Sequence, residues 1–178
     1  MPGIDDNLPF HPLKIAVLTI SDTRTMETDS SGELLASRLV GAGHDLAARA
    51  IVTDDVEAIR AQVQAWIDDP EVEIVLTTGG TGFTPRDVTP EAVMPLLRRV
   101  MDGFSVVFHQ VSMGTIGVST LQSRAFAGQA GDSFIFCVPG SPGACRDAWD
   151  LVLQYECDSR YRPCSIAGQL PRLREVCA

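Results

Sequence analysis

The sequence predicts an α/β protein, a three-layer α/β/α sandwich on a mostly parallel sheet. Three observations predict it. Short apolar, β-branched runs alternate with amphipathic stretches of helical period over the first hundred residues. Turns rich in glycine, serine and proline punctuate the alternation. The runs at 13–20 (LKIAVLTI) and 74–78 (IVLTT) are continuously apolar or β-prone rather than alternating, as strands buried on both faces must be.

The elements follow in order. Residues 1–12 hold three prolines and no period, and read as an N-terminal tail. The single domain spans 13–158, beginning with the 13–20 strand. Ser30-Ser31-Gly32-Glu33 has the form of a capping box, and Leu34, Leu35 and Leu39 continue it as a helix that Gly41 and Gly43 end. A second strand fits 46–52. Asp54 then caps a helix striped with Val56, Ile59, Val63 and Trp66. After the 74–78 strand and a glycine-rich turn, Thr89 as cap and Pro90 in the first turn open a helix with Val93, Leu96, Leu97 and Val100 inward. Residues 103–117 read as a short helix and loop. Strands at 123–127 and 134–138 flank a turn at 128–132. Ser141 as cap and Pro142 start a helix carrying Ala148, Trp149, Leu151 and Val152, and 159–178 read as a C-terminal tail.

Length and composition narrow the function. A chain of 178 residues with 45% hydrophobic and 21% charged residues is ordinary for one globular domain, which excludes disordered and fibrous classes. The net charge of −9 argues against broad binding to nucleic acid or an anionic membrane. Residues 1–73 carry the whole surplus, with 14 acids against five bases, while 74–178 sum to zero. Five cysteines without a C-x-x-C pair exclude zinc-ribbon and thioredoxin-type spacings. The first residues are neither basic nor apolar, and no apolar run reaches the ~18 residues of a membrane span. Free thiols without a leader predict a cytoplasmic protein.

Three turns fall at the carboxyl ends of predicted parallel strands, where open α/β sheets bind ligands: 21–32, 79–87 and 139–142. Each leads into a helix, whose free N–H groups and positive dipole end suit phosphate. The only lysine is Lys14, inside the first strand, so a Walker A loop is excluded. The Rossmann fingerprint fails because Pro85 stands at its third glycine. His11, His44 and His109 lie outside the three turns, which leaves no support for a Ser–His or Cys–His triad. Asp87 and Asp29 remain: two acids on separate loops beside glycine N–H groups, the arrangement that metal-assisted phosphoryl or nucleotidyl transfer requires, with Asp87 expected to hold Mg²⁺. Arg86 and Arg124 could grip phosphate in a fork. Cys137, Trp66 and Trp149 read as core.

The segment from Thr77 to Ala92, TTGGTGFTPRDVTPEA, resembles the MoaB/MogA molybdenum-cofactor biosynthesis family, which includes the G domains of gephyrin and its plant counterparts. The likeness extends to Ser21-Asp22, to Asp29-x-Ser31-Gly32 and to Pro139-Gly140-Ser141-Pro142, and covers about residues 13–165. Ser119-Thr120-Leu121-Gln122-Ser123-Arg124-Ala125 and Arg162-Pro163-Cys164 look like its MoaB branch. The resemblance implies the molybdopterin-binding fold, and adenylyl transfer from Mg-ATP to the terminal phosphate of molybdopterin. It implies that Thr78, Gly79, Gly80, Thr81 and Gly82 line the substrate phosphate site. Ser21, Asp22, Ser31, Gly32, Ser119, Arg124, Pro139, Gly140 and Ser141 then line the pterin and nucleotide pocket, and Asp87 and Asp29 are catalytic acids. It implies a homotrimer or homohexamer. The alternatives are a non-catalytic molybdopterin-binding subunit and a CinA-like nucleotide-processing activity; the chain ends too early for the extra CinA domain.

Overall fold

The computed structural model describes residues 2–173. Strand β1 (Gly3–Ile4) precedes β2 (Lys14–Ile20), α1 (Ser30–Gly41), β3 (Asp45–Val52), α2 (Val56–Ile67) and β4 (Ile74–Thr78). Then come α3 (Thr89–Val93), a 3₁₀ turn (Met94–Leu96), β5 (Arg99–Val100), α4 (Asp102–Ile116) and a second 3₁₀ turn (Gly117–Gln122). The chain continues with β6 (Phe126–Ala130), β7 (Ser133–Val138) and α5 (Pro142–Ala148), which runs through a π turn (Trp149–Leu153) into α6 (Gln154–Glu156). Strand β8 (Tyr161–Arg162) and α7 (Ile166–Leu173) complete the described residues.

Six strands form one sheet in the order β3-β2-β4-β7-β6-β5. The first four are parallel; β6 runs antiparallel to β7, and the edge strand β5 antiparallel to β6. Both faces are covered, and the residues of β2 show why its sequence does not alternate. Ile15 and Val17 enter the core beneath α1, α4, α5 and α7, while Ala16, Leu18 and Ile20 enter the core beneath α2 and α3. Trp149 and Trp66 are core, as expected, one on each side. So is Cys137; Cys145 and Cys157 are buried too, and Cys164 is exposed. Among the described residues, no helix is long and apolar enough to cross a membrane.

Several elements depart from the sequence reading for local reasons. Residues 102–116 form a continuous helix of 15 residues. Its glycines and valines blur the period, yet Phe104, Phe108 and Ser112, four apart, are its buried face. The cap of α1 is Asp29, not Ser30, because its carboxylate reaches the Gly32 N–H at 2.9 Å. The cap of α2 is Asp55, accepting from the Ala58 N–H at 2.9 Å, which leaves Asp54 free of that duty. Thr89 lies inside α3 rather than capping it, and its hydroxyl donates to the Gly79 carbonyl at 2.9 Å. That helix stops after five residues, so Val100 falls on the edge strand β5, exposed. Gly128 belongs to β6, and the hairpin turns at Gly131, whose φ is 55°. Leu151 faces outward on the π turn.

The segments read as tails are folded onto the domain. Strand β1 pairs with β8 antiparallel, Gly3 opposite Arg162. Phe10 packs against the His44 ring and beneath the Arg160 guanidinium. Ile166, Ala167 and Leu170 of α7 bury themselves in the same core as α4 and α5. Residues 174–178 of the expected C-terminal tail lie outside the described residues.

Candidate functional site

Strands β2, β3, β4 and β7 point their carboxyl ends the same way, so four turns converge at one edge of the sheet. Between them lies a cavity of about 490 Å³. Its lining comes from the turn after β2 (Ser21, Arg24, Asp29, Ser31), the turn after β3 (Asp54), the glycine turn after β4 (Gly79–Gly82, Arg86, Asp87) and the turn after β7 (Pro139, Gly140, Ser141). Gln122 and Ser123, just before β6, supply the remaining wall.

Local chemistry explains how the turns come so close. Gly79 has φ 113°, and a Cβ there would stand 2.2 Å from the Ile20 carbonyl oxygen, so only glycine lets the β4 turn pass the end of β2. Thr78 donates its hydroxyl to the Pro139 carbonyl at 3.0 Å, and Ser31 donates to the Gly140 carbonyl at 2.9 Å, fastening the turn after β7 from two sides. Ser141 caps α5, as its sequence predicts, accepting from the Ala144 N–H at 3.1 Å.

Asp87 borders the cavity with an ordered carboxylate. Its Oδ2 accepts from the Thr84 N–H at 2.8 Å and from the Thr84 hydroxyl at 2.6 Å. Partial burial pushes its carboxyl up, but the Thr84 and Gly82 hydrogen bonds and the Arg124 charge outweigh that and hold it below the ordinary carboxylate range. Asp54 also borders the cavity. Burial pushes its carboxyl up, and the neighbouring Asp22 and Asp87 carboxylates push in the same direction.

Asp54 is the acid that sequence reasoning missed as a site residue. The signal was the Asp54-Asp55 pair: one aspartate suffices to cap α2, so the other was free for a different role. Arg24, Gln122 and Ser123 were missed as well.

Other expected residues take different places. Asp22 is not part of the cavity lining. It pairs with Arg86, accepts from the Asp54 N–H at 3.1 Å and donates its own N–H to the Asp54 carboxylate at 2.9 Å, so it ties three turns together from behind. Asp29 borders the cavity, but its carboxylate is occupied by Gly32 N–H, by the Thr19 hydroxyl at 2.7 Å and by Arg49 at 3.0 Å. Gly32 serves that cap: a Cβ there would meet Asp29 at 2.2 Å. Ser119 sits exposed on the 3₁₀ turn, away from the lining, because Gln122 and Ser123 form the wall instead. Arg124 is outside the lining too. Its guanidinium donates to the Gly82 carbonyl at 2.8 Å and the Asp87 carbonyl at 2.6 Å, and pairs with Glu91, so its fork is filled by backbone rather than aimed at a ligand.

A family model described as "Probable molybdopterin binding domain" matches residues 16–158. The chain is 47% identical over 163 residues to molybdenum cofactor biosynthesis protein B of Escherichia coli strain K12, covering 92% of this chain and 96% of that protein. It is 45% identical over 142 residues to the protein of the same name from Bacillus anthracis, covering 79% of this chain and 84% of that one. A crystal structure of molybdenum cofactor biosynthesis protein B superposes with a TM-score of 0.83 at 40% identity, over 92% of this chain and 96% of that chain. The six-stranded sheet, the converging turns and relatives matched over most of their length lead to one conclusion: the chain belongs to the molybdenum-cofactor biosynthesis family of molybdopterin-binding domains, in its MoaB branch.

Proposed function

We propose that this protein transfers an adenylyl group from Mg-ATP to the terminal phosphate of molybdopterin, releasing pyrophosphate. Its role lies in molybdenum-cofactor biosynthesis, the pathway for which its relatives are named. The observation that carries the finer reading is the meeting of Asp54 and Asp87 with the Gly79–Gly82 turn and the turns that lead into α1 and α5 around one cavity. The molybdopterin phosphate is ionised at neutral pH and needs no general base. What the reaction asks of the protein is alignment and charge neutralisation.

The residues present fit a divalent cation. Magnesium is held by one or two carboxylates together with substrate phosphate oxygens, and the Asp87 charge raises the cost of ionising Asp54, which a cation bound by both would relieve. When bound, the ion neutralises the triphosphate and the charge that develops on the departing pyrophosphate. The glycine turn cradles the acceptor phosphate through the N–H groups of Gly80 and Thr81, since those of Gly79 and Gly82 serve the Val138 carbonyl and the Asp87 carboxylate. Thr78 and Ser31 fix the floor of the cavity, and Arg24 and Arg86 stand at its rim for the remaining phosphate charge. Molybdopterin, Mg²⁺ and ATP incubated with the protein yield adenylylated pterin, followed by chromatography. A folded protein that binds molybdopterin and makes no product would favour the non-catalytic carrier instead.

The reading includes a homotrimer or homohexamer in the cytoplasm. Val106 and Ile116 of α4, with Val118 and Leu121 of the turn after it, are exposed apolar side chains on neighbouring segments, and self-association would cover them. Light scattering on the purified protein gives a mass of three or six chains; a monomer at micromolar concentration would remove this part.

A further inference from the structure

We infer that Arg124 is a positioning residue: it fixes the 82–87 loop, and with it the Asp87 carboxylate, without touching a ligand. Its kinetic consequence rests on the adenylyl-transfer reading; its mechanical consequence rests on geometry alone.

One guanidinium holds both ends of the loop. Nε takes the Gly82 carbonyl at 2.8 Å, and Nη2 takes the Asp87 carbonyl at 2.6 Å. The Arg124 N–H donates to the Thr81 carbonyl at 2.8 Å, and Glu91 on α3 pairs with Nη1. The Phe83 ring lies 5.5 Å from the guanidinium carbon, so residues 82–87 wrap around a planar cation. Resonance fixes the spacing of Nε and Nη2, and that spacing sets the separation of the two carbonyls. A lysine ammonium is a point donor and cannot span them. On its other side the loop is tied by the Asp87 carboxylate, which accepts from the N–H and hydroxyl of Thr84. Residue 87 is therefore held twice, by its carbonyl through Arg124 and by its side chain through Thr84. The strut also joins this loop to the wall made by Gln122 and Ser123, because Ser123, the residue before it, borders the cavity and lies 3.4 Å from the Thr81 hydroxyl.

The test uses the full chain with Arg124→Lys and Arg124→Gln. It measures steady-state adenylylation, equilibrium molybdopterin binding, and amide hydrogen exchange over 82–88 without substrate. Both variants lose about 100-fold in kcat, while KM and Kd for molybdopterin stay within about threefold, and lysine does not rescue. Exchange over 82–88 rises at least about tenfold and is unchanged in the sheet, since two charge-assisted bonds are gone. Unaltered exchange in that segment overturns the inference. A loss confined to molybdopterin affinity overturns it in favour of a direct phosphate ligand. If the wild-type protein forms no product, the adenylyl-transfer reading fails, while exchange and binding still decide the role of Arg124. Should both substitutions unfold the chain, Glu91→Gln leaves Arg124 in place with a weakened third hold; it raises exchange in the same segment, and no change there overturns the inference.

Discussion

On the proposed adenylyl-transfer function, replacing Asp87 by asparagine lowers turnover by about 10³-fold, equivalent to about 4 kcal/mol of lost transition-state stabilisation. The substitution is nearly isosteric, and the asparagine oxygen still accepts from the Thr84 N–H and hydroxyl, so the loop keeps its shape. The removed quantity is one negative charge on the cavity wall. That charge is present throughout the neutral range because Asp87 titrates below the ordinary carboxylate range, with its hydrogen bonds outweighing its burial. The loss therefore falls on kcat at saturating Mg-ATP. Molybdopterin binding and the melting temperature stay close to wild type. Product formation within tenfold of the wild-type rate would take Asp87 out of the reaction.

Asp29→Ala has its effect on stability instead. The side chain is 1% exposed, and one carboxylate serves an N-cap, a buried hydroxyl and a largely buried guanidinium at once. Removing it leaves Arg49 with the exposed Glu33 carboxylate and the carbonyl of residue 29, and α1 without a cap. The expected loss is about 3–4 kcal/mol, a melting shift on the order of 10 °C. Burial pushes the Asp29 carboxyl up, but Gly32, Thr19 and Arg49 together hold its folded pKa below the unfolded value. Its contribution is thus complete above the unfolded carboxylate pKa near 4 and drains away as pH falls through the folded one. Wild-type unfolding curves lose stability on that acid limb, and Asp29→Asn flattens it. Turnover per folded molecule within about tenfold of wild type assigns Asp29 to the scaffold; a loss as deep as that of Asp87→Asn would return it to the chemistry.

Strands β2, β4 and β7 were legible because burial on both faces forces an unbroken apolar run, and 74–78 was read to the residue. The cap at Ser141 was legible because a capping hydroxyl precedes a proline in the first turn, although the same signal at Thr89-Pro90 misplaced the start of α3 by one residue. Adjacent candidates defeated the same reasoning elsewhere. Ser30 stands beside Asp29 and Asp54 beside Asp55, and in each case a partner distant in sequence accompanies the outcome: Arg49 on β3 pairs with the capping Asp29, and the Asp22 N–H on the turn after β2 takes Asp54 while Asp55 caps. Arg124 shows the limit most plainly. Residue type marked it as a phosphate fork, and only the path of the 82–87 loop around it shows that backbone carbonyls fill the fork first.

The cysteines give the fold a clock for its own opening. Burial pushes the thiols of Cys137 and Cys145 up to about 12 and about 11, and raises Cys157 as well, so all three are withheld from alkylating reagents while the sheet is closed. Cys164, at the surface, reacts at once. The three sulfurs lie in different parts of the core: Cys137 on β7 in the core beneath α2, Cys157 in the core that α7 joins, and Cys145 against the Thr78 hydroxyl at 3.1 Å, under the cavity floor. Their labelling rates therefore time three separate openings of one molecule, and the sulfur under the floor is the one whose rate an occupant of the cavity would slow.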